Sequence, residues 1–144
     1  MTVKTETNFW KNLKKYLDAG NYIYSRLESY VTPGFPDCLI YHKETGFFTV
    51  ELKVANSSNK VVLSPFQIAW NMKHATAGAK SYILVSLPLA EQVKLFHGCK
   101  TKDLGQNNVF QVPGIWKGPL KDLNFTKISA NSQSPAYKSY VNVT

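Results

Sequence analysis

Gly34-Phe35-Pro36-Asp37, the short run Cys38 to Tyr41, and Phe47-Phe48-Thr49-Val50-Glu51-Leu52-Lys53 decide how this chain folds. Side chains alternate faces along a strand, so Glu51 and Lys53 point one way. Phe48, Val50, Leu52 and Val54 point the other way and read as core. If the two runs form a hairpin with a five-residue loop from His42 to Gly46, Asp37 falls opposite Glu51. Two carboxylates and an ammonium then share one patch, which suits a divalent metal and a phosphodiester. A slip of one residue would turn Asp37 away. Taken singly, Glu-X-Lys on a strand is usually a solvated face and Pro-Asp usually a turn. Order and surroundings must carry the reading.

Ahead of this unit, Thr5 or Thr7 can cap a helix whose Phe9, Trp10, Leu13, Tyr16 and Leu17 give an amphipathic stripe, stopped at Gly20. Glu6 sits in its first turn, where a carboxylate could simply favour the helix dipole or could lean over the core edge toward the patch. Asn21 to Val31 reads as a strand, and Thr32-Pro33-Gly34 breaks it. After the hairpin, Ala55 to Lys60 reads as a mobile polar loop. Ser64-Pro65-Phe66-Gln67 is a strong helix start, with Ser64 as cap and Gln67 as its capping-box partner. That helix runs to Gly78, and Ser81 to Leu87 forms the next strand through a parallel crossover. Leu89 to Phe96 is expected as a short helix or a helix turning into a strand end. Val109 to Val112 is expected as an edge strand, and Pro113 to Pro119 as loop. The order αβββαβ predicts an α/β fold with a mixed sheet flanked by helices. Residues 1–100 are expected to hold the core and 101–144 to form an extension or arm without a domain of its own.

The composition narrows the function. A net charge of +8, nearly all from lysine, favours an anionic partner, with nucleic acid ahead of membrane. No run approaches the roughly 20 apolar residues of a membrane span, and the first residues lack a signal peptide's apolar segment, so a cytoplasmic location is expected. Cys38 and Cys99 have no CxxC spacing and the histidines are scattered, which argues against zinc.

Pro36-Asp37, a gap of 13 residues, and Glu51-Leu52-Lys53 within an αβββαβ order resemble the PD-(D/E)XK nuclease superfamily, with its restriction-endonuclease-like core. Gly34-Phe35-Pro36-Asp37, Val50-Glu51-Leu52-Lys53 and Leu63-Ser64-Pro65-Phe66-Gln67 resemble the small VRR-NUC and Holliday-junction-resolvase-like nucleases common in phages. The resemblance covers roughly Glu6 to Leu87. It implies a Mg²⁺-dependent endonuclease, with Mn²⁺ as substitute, that hydrolyses DNA phosphodiesters, branched or junction DNA first. It implies metal held by Asp37, Glu51 and the Leu52 backbone carbonyl, a water activated there, and Lys53 assisting. In similar nucleases a glutamine or lysine at the position of Gln67 lies beside the site. A further acid is expected, either Glu6 or Glu28. Ser29 resembles a serine used by archaeal resolvases. Lys11, Lys14, Lys15 and Lys60 are candidates for phosphate contact, with a plain solvated face the alternative for each. Related resolvases are two-fold dimers, so a homodimer is expected. A nicking or restriction-like nuclease on ordinary duplex, and a non-catalytic DNA-binding protein on the same fold, are the rival readings.

Overall fold

The runs flanking the turn at Lys43 to Thr45 do form a hairpin. The computed structural model describes residues 5–27, 33–87 and 91–130. Strands β2 (Cys38–His42) and β3 (Gly46–Val54) pair antiparallel from Cys38↔Val50 to His42↔Gly46. Continuing that register by one step sets Asp37 opposite Glu51, as the alternation requires. Gly46, at φ +70°, lets the chain enter β3 without steric cost.

Before the hairpin come α1 (Glu6–Ala19) and β1 (Ile23–Arg26). Thr5 is the cap of α1, its side chain accepting from the Asn8 amide. The strand expected to run to Val31 is only four residues long in its described part. After the hairpin, α2 (Pro65–Thr76) carries the expected capping box between Ser64 and Gln67. It leads into β4 (Ser81–Leu87), which pairs parallel with β3. Among the described residues the sheet has six strands in the order β1-β2-β3-β4-β5-β6, with only the β3–β4 pair parallel. It is thus a mixed α/β sheet with helices against it, holding the αβββαβ order.

Two expectations beyond β4 are corrected. Of the stretch from Leu89 to Phe96, expected as a short helix or a helix turning into a strand end, residues 89–90 lie outside the described residues and Gln92–His97 is strand β5 throughout, antiparallel to β4. Val93 and Leu95 pack on one side of the sheet and Phe96 on the other, so a two-residue period prevails over the helical spacing of Val93 and Phe96. The edge strand is β6 (Trp116–Gly118), in the segment expected as loop, while residues 109–112 form a turn. Val109 and Val112 are buried by their side chains, and their carbonyls accept from the Lys94 ammonium instead of from a strand. Ala55 to Lys60, expected to be a mobile loop, is a closed turn. Asn56 accepts at its side chain from the amides of Ser58 and Lys60 and bonds Lys60 through its backbone.

Alternation divides the core in two. Phe9, Leu13 and Leu17 of α1 pack with Ile40, Phe48, Val50, Leu52 and Leu84 on one face. Ile83, Val85, Phe96 and Leu104 lie on the other, the face that also carries Glu51. Phe125, at the start of the helix Phe125–Ala130, closes the first cluster with its ring 4.8 Å from Phe48. Tyr16, whose hydroxyl donates to the Leu123 carbonyl, also borders it. Phe125→Ala should therefore cost about 3–5 kcal/mol, because it empties a fully enclosed site. Urea unfolding of the full chain measures this. Among the described residues no helix is long and apolar enough to cross a membrane.

Candidate active site

Each polar residue of the patch is placed by a specific local feature. Asp37 follows Pro36, which is buried, at the entry to β2. One carboxylate oxygen, Oδ2, accepts from the Leu52 amide at 2.7 Å, which fixes the side chain against β3. Glu51 belongs to the middle of the sheet and is only 1% exposed. Its Oε1 accepts from Gln67 Nε2 at 2.7 Å, while its Oε2 is buried without a hydrogen-bond partner among the described residues. Lys53 emerges two residues later on the same face, and its Nζ lies 3.9 Å from Glu6 Oε1 at the start of α1.

Gln67 performs two tasks at once. Its Oε1 accepts from the Ser64 amide in the capping box, and this turns the amide so that Nε2 faces Glu51. Asn71, one turn further along and fully buried, donates to the Gln67 carbonyl and accepts from Ser81 Oγ, tying the helix start to β4. Asn71 escaped the sequence reading. Its spacing of four from Gln67 on a helix was the available signal.

The electrostatics follow from burial. Desolvation first, and then the Asp37 charge, push the Glu51 carboxyl up to about 8, with the Lys53 ammonium acting in the opposite direction, Glu6 adding to the rise and the Asp37 backbone amide opposing it. Desolvation also raises Glu6, opposed by Lys53, while Asp37 raises it further and Arg26 lowers it. Glu6, Asp37, Glu51 and Lys53 therefore sense one another as a group, with Arg26 at its border. Arg26 itself lies over the Trp10 ring, 5.0 Å from its centroid.

The expected site residues separate into three sets. Asp37, Glu51, Lys53, Gln67 and Glu6 are brought together. Glu28 and Ser29 lie outside the described residues. Lys11, Lys14 and Lys15 line a shallow groove of about 390 Å³ on the outer side of α1 with Asn8, Asn12 and Asp18, and Lys60 is exposed in its turn. Among the described residues none of these lysines is hydrogen-bonded or ion-paired to Asp37, Glu51 or Glu6.

Whether the patch fits a divalent cation can be judged from its atoms. Among the described residues, no group of three or more His, Cys, Asp or Glu is arranged to hold a metal. Mg²⁺ asks for less, because it keeps several waters and commonly takes one or two carboxylates together with substrate phosphate. The partnerless, desolvated Glu51 Oε2 beside the Asp37 carboxylate is an electrostatic deficit that a small cation would relieve. The donor set fits.

No protein-family model and no curated protein matches the chain. Among solved structures it is similar to Archaeoglobus fulgidus Hjc, a Holliday junction resolvase from an archaeal hyperthermophile. The TM-score is 0.49 at 23% identity, covering 64% of this chain and 76% of that one. A likeness of that size assigns no function; the polar patch supports one on its own geometry.

Proposed function

We propose that this protein is a divalent-metal-dependent endonuclease that hydrolyses DNA phosphodiester bonds, with branched or junction DNA as its preferred substrate. The observation carrying the proposal is the buried Glu51 carboxylate, anchored at one oxygen by Gln67 and open at the other, beside Asp37 and Lys53. Most buried side-chain oxygens are hydrogen-bonded, and a carboxylate oxygen left without a partner at 1% exposure is what a bound cation would explain.

In this reading Asp37, Glu51 and the Leu52 carbonyl hold Mg²⁺ or Mn²⁺. When bound, the ion supplies Lewis acidity to the phosphate and makes a nearby water more acidic. The chain's own residues do the rest. The Leu52 amide keeps Asp37 in one rotamer, and Gln67 keeps Glu51 in another. Lys53 offsets negative charge that grows on the phosphoryl oxygens during attack by water and departure of the leaving oxygen. Glu6 holds the Lys53 ammonium at the mouth of the patch. The basic exterior, including Lys11, Lys14, Lys15 and Lys60, supplies salt-sensitive attraction to DNA.

A two-fold dimer belongs to the same proposal, since symmetric cutting of a junction needs two sites. Ile23, Tyr41 and Phe47 lie side by side across β1, β2 and β3. Ile23 is 67% exposed and Phe47 65%, an apolar surface that a second copy would cover. Light scattering should give the mass of a dimer.

Incubation with a four-way junction, nicked plasmid and intact duplex, each with Mg²⁺ or with EDTA, tests the function. The expected result is metal-dependent cleavage fastest on the junction. Equal rates on intact duplex would replace the substrate assignment with a restriction-like one. DNA binding without cleavage under any metal would leave a non-catalytic DNA-binding protein.

A further inference from the structure

Two large apolar side chains stay in water directly beside the patch. Phe35, 41% exposed, precedes Asp37 by two residues, and Phe66, 60% exposed, immediately precedes Gln67. The two segments that carry them are pressed together. Gly34 has φ +84°, and a Cβ there would stand 2.2 Å from the Phe66 carbonyl oxygen. Only glycine allows the loop to approach the first turn of α2 this closely. Phe35 packs at 5.5 Å from Trp70, which lies one turn after Phe66 on the same side of the helix. Trp70 stacks in turn on His74 at 3.7 Å and 15°, and the His74 ring bonds the Trp70 carbonyl. Lys73, exposed, continues the stripe begun by Phe66 and Trp70.

Packing explains the inner part of this array. The Trp70–His74 stack is half-buried and closes the outer side of α2. It does not explain Phe66, whose ring faces water at the first turn of the helix that presents Gln67. A short aromatic row ending in a cation, on a chain of charge +8, has the chemistry of a stacking platform for unpaired bases.

We propose that Phe35, Phe66 and Trp70 form a stacking step that receives an unpaired base of the DNA strand next to the phosphate lying at Asp37 and Glu51, with Lys73 contacting the following phosphate. The step rests on the nuclease reading above and deepens it. It selects DNA whose strand leaves the duplex at the cut, such as a fork, flap or opened branch point. A continuous duplex keeps its bases stacked on one another and cannot use it.

The test is equilibrium binding by fluorescence anisotropy, in EDTA, to a forked DNA and to a blunt duplex of equal length. A second forked DNA carries 2-aminopurine at its first unpaired position. Wild type should favour the fork, and its binding should quench 2-aminopurine. Phe66→Ala and Phe35→Ala should each reduce the fork-to-duplex affinity ratio about tenfold. Phe66→Trp should restore it, which separates a stacking role from a loss of fold. An unchanged ratio in both alanine variants, or affinity lost equally on both DNAs, overturns the stacking step. So does a change from dimer to monomer in Phe66→Ala, since the ring would then serve a self-interface. Metal-dependent cleavage by wild type with an unchanged ratio would defeat the step alone. Failure of wild type to bind either DNA would defeat the nuclease reading with it.

Discussion

Glu51→Gln is expected to remove the fall in stability towards pH 8 while abolishing cleavage. The folded chain holds a proton on Glu51 up to about pH 8, whereas the unfolded chain releases it near the ordinary 4.5. Between those values the folded state binds more protons, so stability falls as pH rises through the window. At about 1.4 kcal/mol per unit, the loss amounts to a few kcal/mol by pH 8. The amide that replaces the carboxyl in the variant carries no such proton, so the fall in its urea midpoint towards pH 8 should disappear, leaving the rise up to about pH 6.5 that His97 gives, since burial holds its imidazole down to about 4. A divalent ion on the carboxylates should reverse the wild-type loss, and by more at pH 8 than at pH 6, because at the lower pH it must displace the proton. The variant should show no such gain. Parallel pH profiles for the two proteins would mean that Glu51 does not titrate as its burial demands.

Removal of charge at Asp37 or Lys53 should be the other large effect. Asp37→Asn takes away the charge that pushes Glu51 upward, so the window of instability should narrow from its alkaline end. Lys53→Ala acts in the opposite sense, since Lys53 draws Glu51 down, and the window should widen. Both substitutions should reduce single-turnover cleavage by about 10²- to 10⁴-fold, the range for loss of one positioned charged group. Opposite movements in stability with the same direction in activity distinguish a shared electrostatic site from general damage.

Much of the fold and of the site is legible in the sequence. The hairpin register followed from strict alternation through Phe48, Val50 and Leu52 and from a turn of fixed length. The α2 start followed from four residues, Ser64 to Gln67, whose capping chemistry is local. What could not be read depends on contacts distant in sequence. Val93 and Phe96 fit a helical stripe as well as a strand, and the free edge of β4 decided between them. Val109 and Val112 owe their place to an ammonium fifteen or more residues away. The sequence allows Gln67 to cap the helix and to stand beside the patch, and one amide does both, because its oxygen and nitrogen point to different partners. Between the two candidate acids, Glu6 stands at Lys53, and Glu28 is outside the described residues.

The most direct measurement of the central claim is single-turnover cleavage of a labelled four-way junction with Mg²⁺ by wild type, Asp37→Asn and Lys53→Ala, each verified as folded by its urea midpoint. Wild type should cleave, EDTA should abolish that cleavage, and each variant should lose at least about 10²-fold. Cleavage that persists at the wild-type rate in both variants would mean that Asp37 and Lys53 do not serve the reaction.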